Sequence, residues 1–137
     1  MTEVEFGTWV KGKQGTHTMK GQEFESFIRA MPHAEFPSGS SCIFQHVYEF
    51  TDNWLEENLG ISGSMPLMLG NFPAGSSMSE PGMTPADTIT LSVSNLLELR
   101  DLGGQLRLDG GIQFTASIEA SHQLCEGVGN AAAQYAS

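Results

Sequence analysis

PSGSSCIFQHVYEFTDNWLEENLG, residues 37–60, is the stretch whose reading decides the fold. Within it Ile43, Val47, Phe50 and Trp54 recur at intervals of four, three and four, while Glu49, Asp52, Asn53, Glu56 and Glu57 fall on the other side. That spacing predicts an amphipathic helix from about Ser41 to Asn58, stopped by Gly60. The Phe50 and Trp54 stripe reads as core or as an interface, and Glu56 and Glu57 read as solvated helix residues. The Pro-Ser-Gly-Ser loop at its start suits either of two roles. The first turn of a helix offers unpaired N–H groups and the positive end of the dipole to an anion, or Ser40 or Ser41 simply caps the helix.

Upstream, GQEFESFIRAM from Gly21 places Phe24, Phe27, Ile28 and Met31 at helical spacing, and Pro32 ends the pattern, which predicts a short helix. Residues 1–20 mix Gly, Thr and Lys and read as an extended or looped segment. Downstream, residues 60–87 are crowded with Gly, Pro, Ser and Met and read as one long loop. Ile89, Leu91 and Val93 alternate with Thr90 and Ser92 as in a short strand. A compact helix is predicted from about Ser94 to Leu102, closed by Gly103 and Gly104. From Phe114, the residues Ile118, Ser121, Cys125, Val128, Ala132 and Tyr135 continue a four-three repeat to the end of one long second helix. Gly127, Gly129 and Ala131 to Ala133 would let a neighbour approach it closely. FPSGSS at 36–41 and FPAGSS at 72–77 echo each other, but the residues that follow share no pattern, so the echo is local turn chemistry and no repeat unit.

Composition narrows the function. The chain has 137 residues, 16 Asp and Glu against 6 Lys and Arg, a formal charge of -10 and only 16% charged residues. An ordinary domain carries roughly 25%. One small domain fits this length, and the net field and lack of a basic stripe exclude nucleic acid as a partner. No apolar run approaches the roughly 20 residues of a membrane span, and MTEVEFGTWVKGK has no hydrophobic signal core. Compartment is left open. Cys42 and Cys125 lie outside any CxxC or His-rich spacing and read as buried free thiols, with no metal site expected. No two of His17, His33, His46 and His122 share a helix face, which argues against a di-histidine metal site.

PHAEFPSGSSC, FPAGSSMSEPGMTPADTITL and GGQLRLDGGIQFTAS, in this order, resemble the vanadium-dependent haloperoxidases, most of all their algal and bacterial branch. That family shares its helical core with the type 2 phosphatidic acid phosphatases. The resemblance runs from about Gly21 to Tyr135 and implies a mainly α fold, a partial haloperoxidase-like helical bundle with long Gly, Pro and Ser-rich loops. Residues 1–20 then form an N-terminal segment and residues 21–137 the domain.

The family holds vanadate, or phosphate, with a Lys and an Arg of a first motif, a Ser-Gly-His of a second, and an Arg followed by a His of a third. Ser38 and Gly39 match the second motif, but Ser40 stands where the acid–base His would be, and a hydroxyl does not exchange protons near neutral pH. Arg107, Gly110 and Gly111 match the third, while Gln113 replaces the metal-bonding His. An amide is a poor metal ligand. Lys11 and Lys13 are not followed by the Arg-Pro of the first motif. Asp109 replaces what is often an aromatic residue, which implies a more polar pocket floor, and His33 reads as loop packing.

The leading expectation is a non-catalytic haloperoxidase-like protein, more a pseudoenzyme than an enzyme, serving as a structural or interaction subunit. Ser40 and Gln113 are then degenerate catalytic positions. Ser38, Gly39, Arg107, Gly110 and Gly111 are the remnant of an oxyanion site, and no cofactor is expected. Helix faces shaped for absent neighbours would leave an apolar patch that another protein chain covers. Two alternatives remain. One is an enzyme, with vanadate as its cofactor, whose Lys and Arg come from a preceding segment or a partner chain. The other is a module that binds phosphate or sulfate without turnover.

Overall fold

The computed structural model describes residues 3–6, 9–10, 13–14 and 17–136, with side chains from His17 onward. Lys11, matched above against the first family motif, lies outside them, as does the side chain of Lys13. The order of elements is β1 (Glu3–Phe6), β2 (Trp9–Val10), β3 (Lys13–Gln14), β4 (His17–Lys20), α1 (Gly39–Leu59), β5 (Leu67–Phe72), β6 (Ile89–Val93), α2 (Leu96–Asp109), α3 (Thr115–Leu124) and α4 (Val128–Ala136). The strands form antiparallel pairs, β1 with β4, β2 with β3 and β5 with β6. The helical bundle is thus accompanied by three small two-stranded sheets.

α1 begins two residues before the expected start and ends where Gly60 takes a left-handed conformation, φ 62°. Its orientation corrects the amphipathic reading. The buried face is polar, consisting of Ser41, Gln45 and Glu49, one helical turn apart. Ile43, Val47 and Trp54 face outward, Ile43 being 64% exposed. The reason lies in what the inner face meets, which is chiefly the glycine-bearing surfaces of α2 and α4. A Cβ on Gly103 would overlap the Phe44 ring, and one on Gly129 would strike the His46 carbonyl and come within 2.6 Å of the Glu49 Cβ.

Four element assignments need correction as well. Residues 21–31 are not a helix; a 3-10 turn at Gly21–Glu23 is followed by irregular chain. Ile28 N–H donates to the Gly110 carbonyl at 3.2 Å, so tertiary pairing along the end of α2 overrides a weak local propensity. The loop at 60–87 contains β5, whose register with β6 runs from Leu67 opposite Val93 to Phe72 opposite Ile89 with a bulge at Met68 to Gly70. Beyond it the 73–88 segment is tied by Gly75 N–H to the Pro85 carbonyl and Ser77 N–H to the Thr84 carbonyl, both at 2.8 Å. The two FPxGSS copies accordingly have different fates, one opening α1 and the other closing a hairpin.

The third correction concerns Gly103 and Gly104, which do not stop α2 but lie buried inside it. Their missing side chains admit Phe44 on one side and Ile118 with His122 on the other. Asn95 starts the helix by accepting from Glu98 N–H at 2.8 Å, while the Glu98 carboxylate returns to Ser94 N–H at 2.7 Å, a reciprocal cap. Fourth, the predicted C-terminal helix is two helices. Between them Gly127 adopts φ 85°, and the Glu49 carboxylate accepts from Gly127 N–H at 2.8 and 3.0 Å and from Gly129 N–H at 3.0 Å. A carboxylate of α1 thereby supplies the acceptors at the start of α4, where the helix dipole also favours a negative charge.

The cysteines are not free thiols. Cys42 and Cys125 form a disulfide, Cα atoms 5.3 Å apart, joining the first turn of α1 to the end of α3. No spacing motif announces this pair, because the bundle brings together residues separated by 83 positions. Among the described residues the buried apolar side chains are Val93, Leu96, Ile118 and Ala133, a small core that leaves much of the work to polar contacts and the crosslink.

Two outcomes are expected in urea unfolding. Replacing both cysteines, Cys42→Ala with Cys125→Ala, lowers stability by about 2 to 4 kcal/mol. Glu49 is subject to burial, which raises its pKa, but the N–H groups of Gly127, Gly129 and Asn130 and the Gln45 amide outweigh it, so its pKa lies below the ordinary 4.5. A depressed folded value means that its stabilisation is complete above the unfolded pKa and is lost as pH falls through the folded one. Glu49→Ala therefore destabilises by about 2 to 3 kcal/mol near neutral pH, and the gap to wild type shrinks as the pH drops below 4.5.

Candidate functional site

The start of α1, the turn after α2 and the loop before α1 meet around Ser38. Ser38 is fully buried and caps α1, its Oγ accepting from Ser41 N–H at 3.2 Å. Its own N–H donates to Ser121 Oγ of α3 at 2.7 Å. Its hydroxyl donates to Gln113 Oε1 at 2.7 Å, which leaves the Ser41 hydroxyl, 2.8 Å away, as the donor in the Ser38 to Ser41 pair. Of the two roles open to the Pro-Ser-Gly-Ser loop, capping is present, and the capping residue is Ser38 rather than Ser40 or Ser41.

Gln113, also buried, is held at both ends. Its Nε2 donates to the Glu35 carbonyl at 3.0 Å, and its Oε1 accepts from Arg107 Nε at 3.3 Å as well as from Ser38. The amide orientation follows from the partners, since a carbonyl can only accept and a guanidinium can only donate. The turn through Gly110 and Gly111 makes this possible. Gly111 takes φ 71°, and Ile112 N–H donates to the Arg107 carbonyl at 3.2 Å, folding the chain back so that Arg107 and Gln113 face each other.

A cavity of about 390 Å³ adjoins these groups, lined by His33, Ala34, Pro37, Gly39, Ser40, Arg107 and Gln113. Gly39 opens onto free space, with no atom within 4 Å of where a Cβ would stand. His33 is exposed, and its Nδ1–H donates to the Ala34 carbonyl at 2.7 Å. The cavity thus presents one guanidinium, one imidazole and a hydroxyl beside the N-terminal end of a 21-residue helix.

Ser38, Gly39, Ser40, Arg107 and Gln113 therefore come together as the sequence groups them. Gly110 and Gly111 do not line the cavity. A Cβ on Gly110 would strike Ile28, and Gly111 lies against Phe24, Ser26 and Phe27. Asp109 is exposed and accepts from Gln105 at 2.7 Å, one turn back on α2, so it is not a pocket floor. His46 stacks on Phe50, ring centroids 6.3 Å apart. His122 lies over Gly104 with its Nε2 buried and without a partner among the described residues. Burial, with Arg100 adding to it against an opposing Asp101, lowers its pKa below 6.5. No group of three His, Cys, Asp or Glu among the described residues could hold a metal ion.

Glu35 escaped the sequence reading. Its carboxylate accepts from Phe114 N–H at 2.8 Å and from the Ser117 hydroxyl, capping α3, while its carbonyl anchors Gln113. Ser121 and Ser117 were missed in the same way. Partners about 80 positions away leave no local signature. A motif match could find Ser38 and Arg107, but not what they hold.

The arrangement is that of a helical-bundle domain with a cation-lined cavity at the start of its longest described helix. The chain belongs to the family of the VCPO second helical-bundle domain, which matches residues 1–137. Two solved structures of bacterial vanadium-dependent chloroperoxidase are similar to it in fold. The holo form has a TM-score of 0.77 and 23% identity, covering 88% of this chain and 24% of that one. The apo form gives 0.77 and 23%, covering 89% and 25%. The chain thus spans about a quarter of the length of those chloroperoxidases. No curated protein matches it.

Ser38→Ala removes both the α1 cap and the donor to Gln113. Stability should fall by about 1 to 3 kcal/mol in urea unfolding, whereas Ser40→Ala should leave it within about 0.5 kcal/mol of wild type.

Proposed function

We propose that this chain is a non-catalytic haloperoxidase-like domain that serves as a structural or interaction unit. The observation that carries the reading is the amide of Gln113 at the position where the family places an imidazole. A vanadium ligand there needs a nitrogen lone pair, and an amide nitrogen has none to give. Here that nitrogen is a donor to the Glu35 carbonyl, and the amide oxygen already accepts from Ser38 and Arg107. These residues do not fit a covalently held vanadate. Ser40 adds a second argument, since a hydroxyl at the cavity wall cannot pass protons near neutral pH as imidazole does.

Charge supports the same reading. Among the described residues Arg107 is the one Lys or Arg lining the cavity, in a chain of net charge -10, which is scant neutralisation for a multiply charged oxyanion. The interaction role is supported by α1, whose outward Ile43, Val47 and Trp54 form an apolar stripe on the face away from the bundle. We assign this stripe to contact with another protein surface; separately, no helix among the described residues is long and apolar enough to cross a membrane.

Halogenation of an activated diketone, followed as loss of its absorbance with vanadate, bromide and hydrogen peroxide, tests the reading. The purified chain should give no rate above that of vanadate alone. A rate that depends on the chain and disappears in Arg107→Ala would refute the proposal.

A further inference from the structure

In an oxyanion site, donors converge on an oxygen that is not part of the protein. In this chain two of the residues that match the family's oxyanion holders, Ser38 and Arg107, converge on an oxygen that is. Gln113 Oε1 lies 2.7 Å from Ser38 Oγ and 3.3 Å from Arg107 Nε. We propose that the Gln113 side chain is a built-in substitute for the bound oxyanion, and that it excludes phosphate and vanadate from the place between Ser38 and Arg107. The proposal rests on reading the domain as non-catalytic, but it adds a mechanism by which the domain stands without a ligand.

Three features of the geometry support it. First, the Ser38 hydroxyl is accounted for. The single proton of the Ser38 hydroxyl goes to Gln113, and the Ser38 oxygen is itself occupied by the Ser41 N–H and hydroxyl, so Ser38 has none left for a ligand. Second, the amide is clamped from behind by the Glu35 carbonyl at 3.0 Å, and Glu35 is fixed in turn by Phe114 N–H at 2.8 Å and the Ser117 hydroxyl. Displacing the amide would break contacts with the loop before α1, through Glu35 and Ser38, and with α2, through Arg107. Third, Ser38 and Gln113 are both buried. Removing the amide oxygen would take the acceptor from the Arg107 Nε–H and leave the Ser38 hydroxyl only Ser41 Oγ to turn to, a cost that an incoming anion would relieve. A neutral acceptor also suits the chemistry better than a multiply charged one, because a single guanidinium faces it.

The test is anion rescue, read by thermal unfolding and by calorimetric titration of the full chain with sodium phosphate and sodium orthovanadate. Sodium chloride at matched ionic strength serves as the control. Neither oxyanion should shift the Tm of the wild-type chain or give heat beyond the control. Gln113→Ala should melt roughly 4 °C lower, recover with phosphate or vanadate but not with chloride, and lose that recovery when Arg107→Gln is added. Heat from phosphate or vanadate in the wild-type chain, lost in Arg107→Gln, would overturn the proposal, and this titration decides the matter even if Gln113→Ala does not fold. A Gln113→Ala chain that melts with wild type and ignores both anions would overturn it too. Oxyanion binding without halogenation removes this inference alone, whereas halogenation by the wild-type chain removes the non-catalytic reading as well.

Discussion

Glu49 stands where α1 meets the start of α4, and its buried carboxylate is the contact on which the packing of these helices depends. It is 6% exposed and takes N–H groups from Gly127 and Gly129 together with the Gln45 amide. The next link runs outward, since Gln45 Oε1 accepts from Arg100 of α2 at 3.4 Å. One polar chain therefore crosses the bundle from α2 through α1 to α4. A buried charge without partners would be severely destabilising, but one that satisfies orphan N–H groups at a helix start contributes both hydrogen bonding and favourable dipole interaction. In a domain with few fully buried apolar side chains, such chains do what a larger core does elsewhere.

A related device appears at α3, where the Glu35 carboxylate accepts from the N–H of Phe114, the residue preceding the helix. Both caps come from distant sequence, so forming either helix end requires the bundle to be assembled. The disulfide from Cys42 to Cys125 acts along the same line, closing α1 onto the end of α3 between the two caps. This explains how a chain rich in Gly and Ser holds three helix starts in register. It also explains why α1 can turn its apolar stripe outward, because its inner face is occupied by groups that need hydrogen bonds rather than by groups that avoid water.

The cavity beside Ser38 shows the consequence for chemistry. Gly39 and Arg107 stand in its wall with Ser38 buried beside them, and Ser38 and Arg107 both bond to a glutamine within the chain. Fold and motif thus persist while the polar network has closed on itself. The family assignment fixes the architecture, and the character of the site depends on a few atoms around Gln113.

What the amino-acid sequence determined by itself was whatever depends on neighbours three or four residues apart. The amphipathic run of α1 and the stop at Gly60 were legible, as was the strand at Ile89–Val93. So was the grouping of Ser38, Gly39, Arg107 and Gln113, because it follows short motifs. What only the tertiary structure decided was the direction of each face and the use of each polar group. Glu49 was placed on the side opposite the apolar stripe, Gly103 and Gly104 looked like a stop, and Phe24 to Met31 looked like a helix. Each reading failed because a partner far along the chain changed the balance: Gly127 for Glu49, Phe44 for Gly103, Gly110 for Ile28. Local periodicity records which side chains share a face. Whether that face meets water, glycine backbone or an orphan N–H is a property of the assembled bundle, and hydrogen bonds that settle it span 75 to 83 positions here.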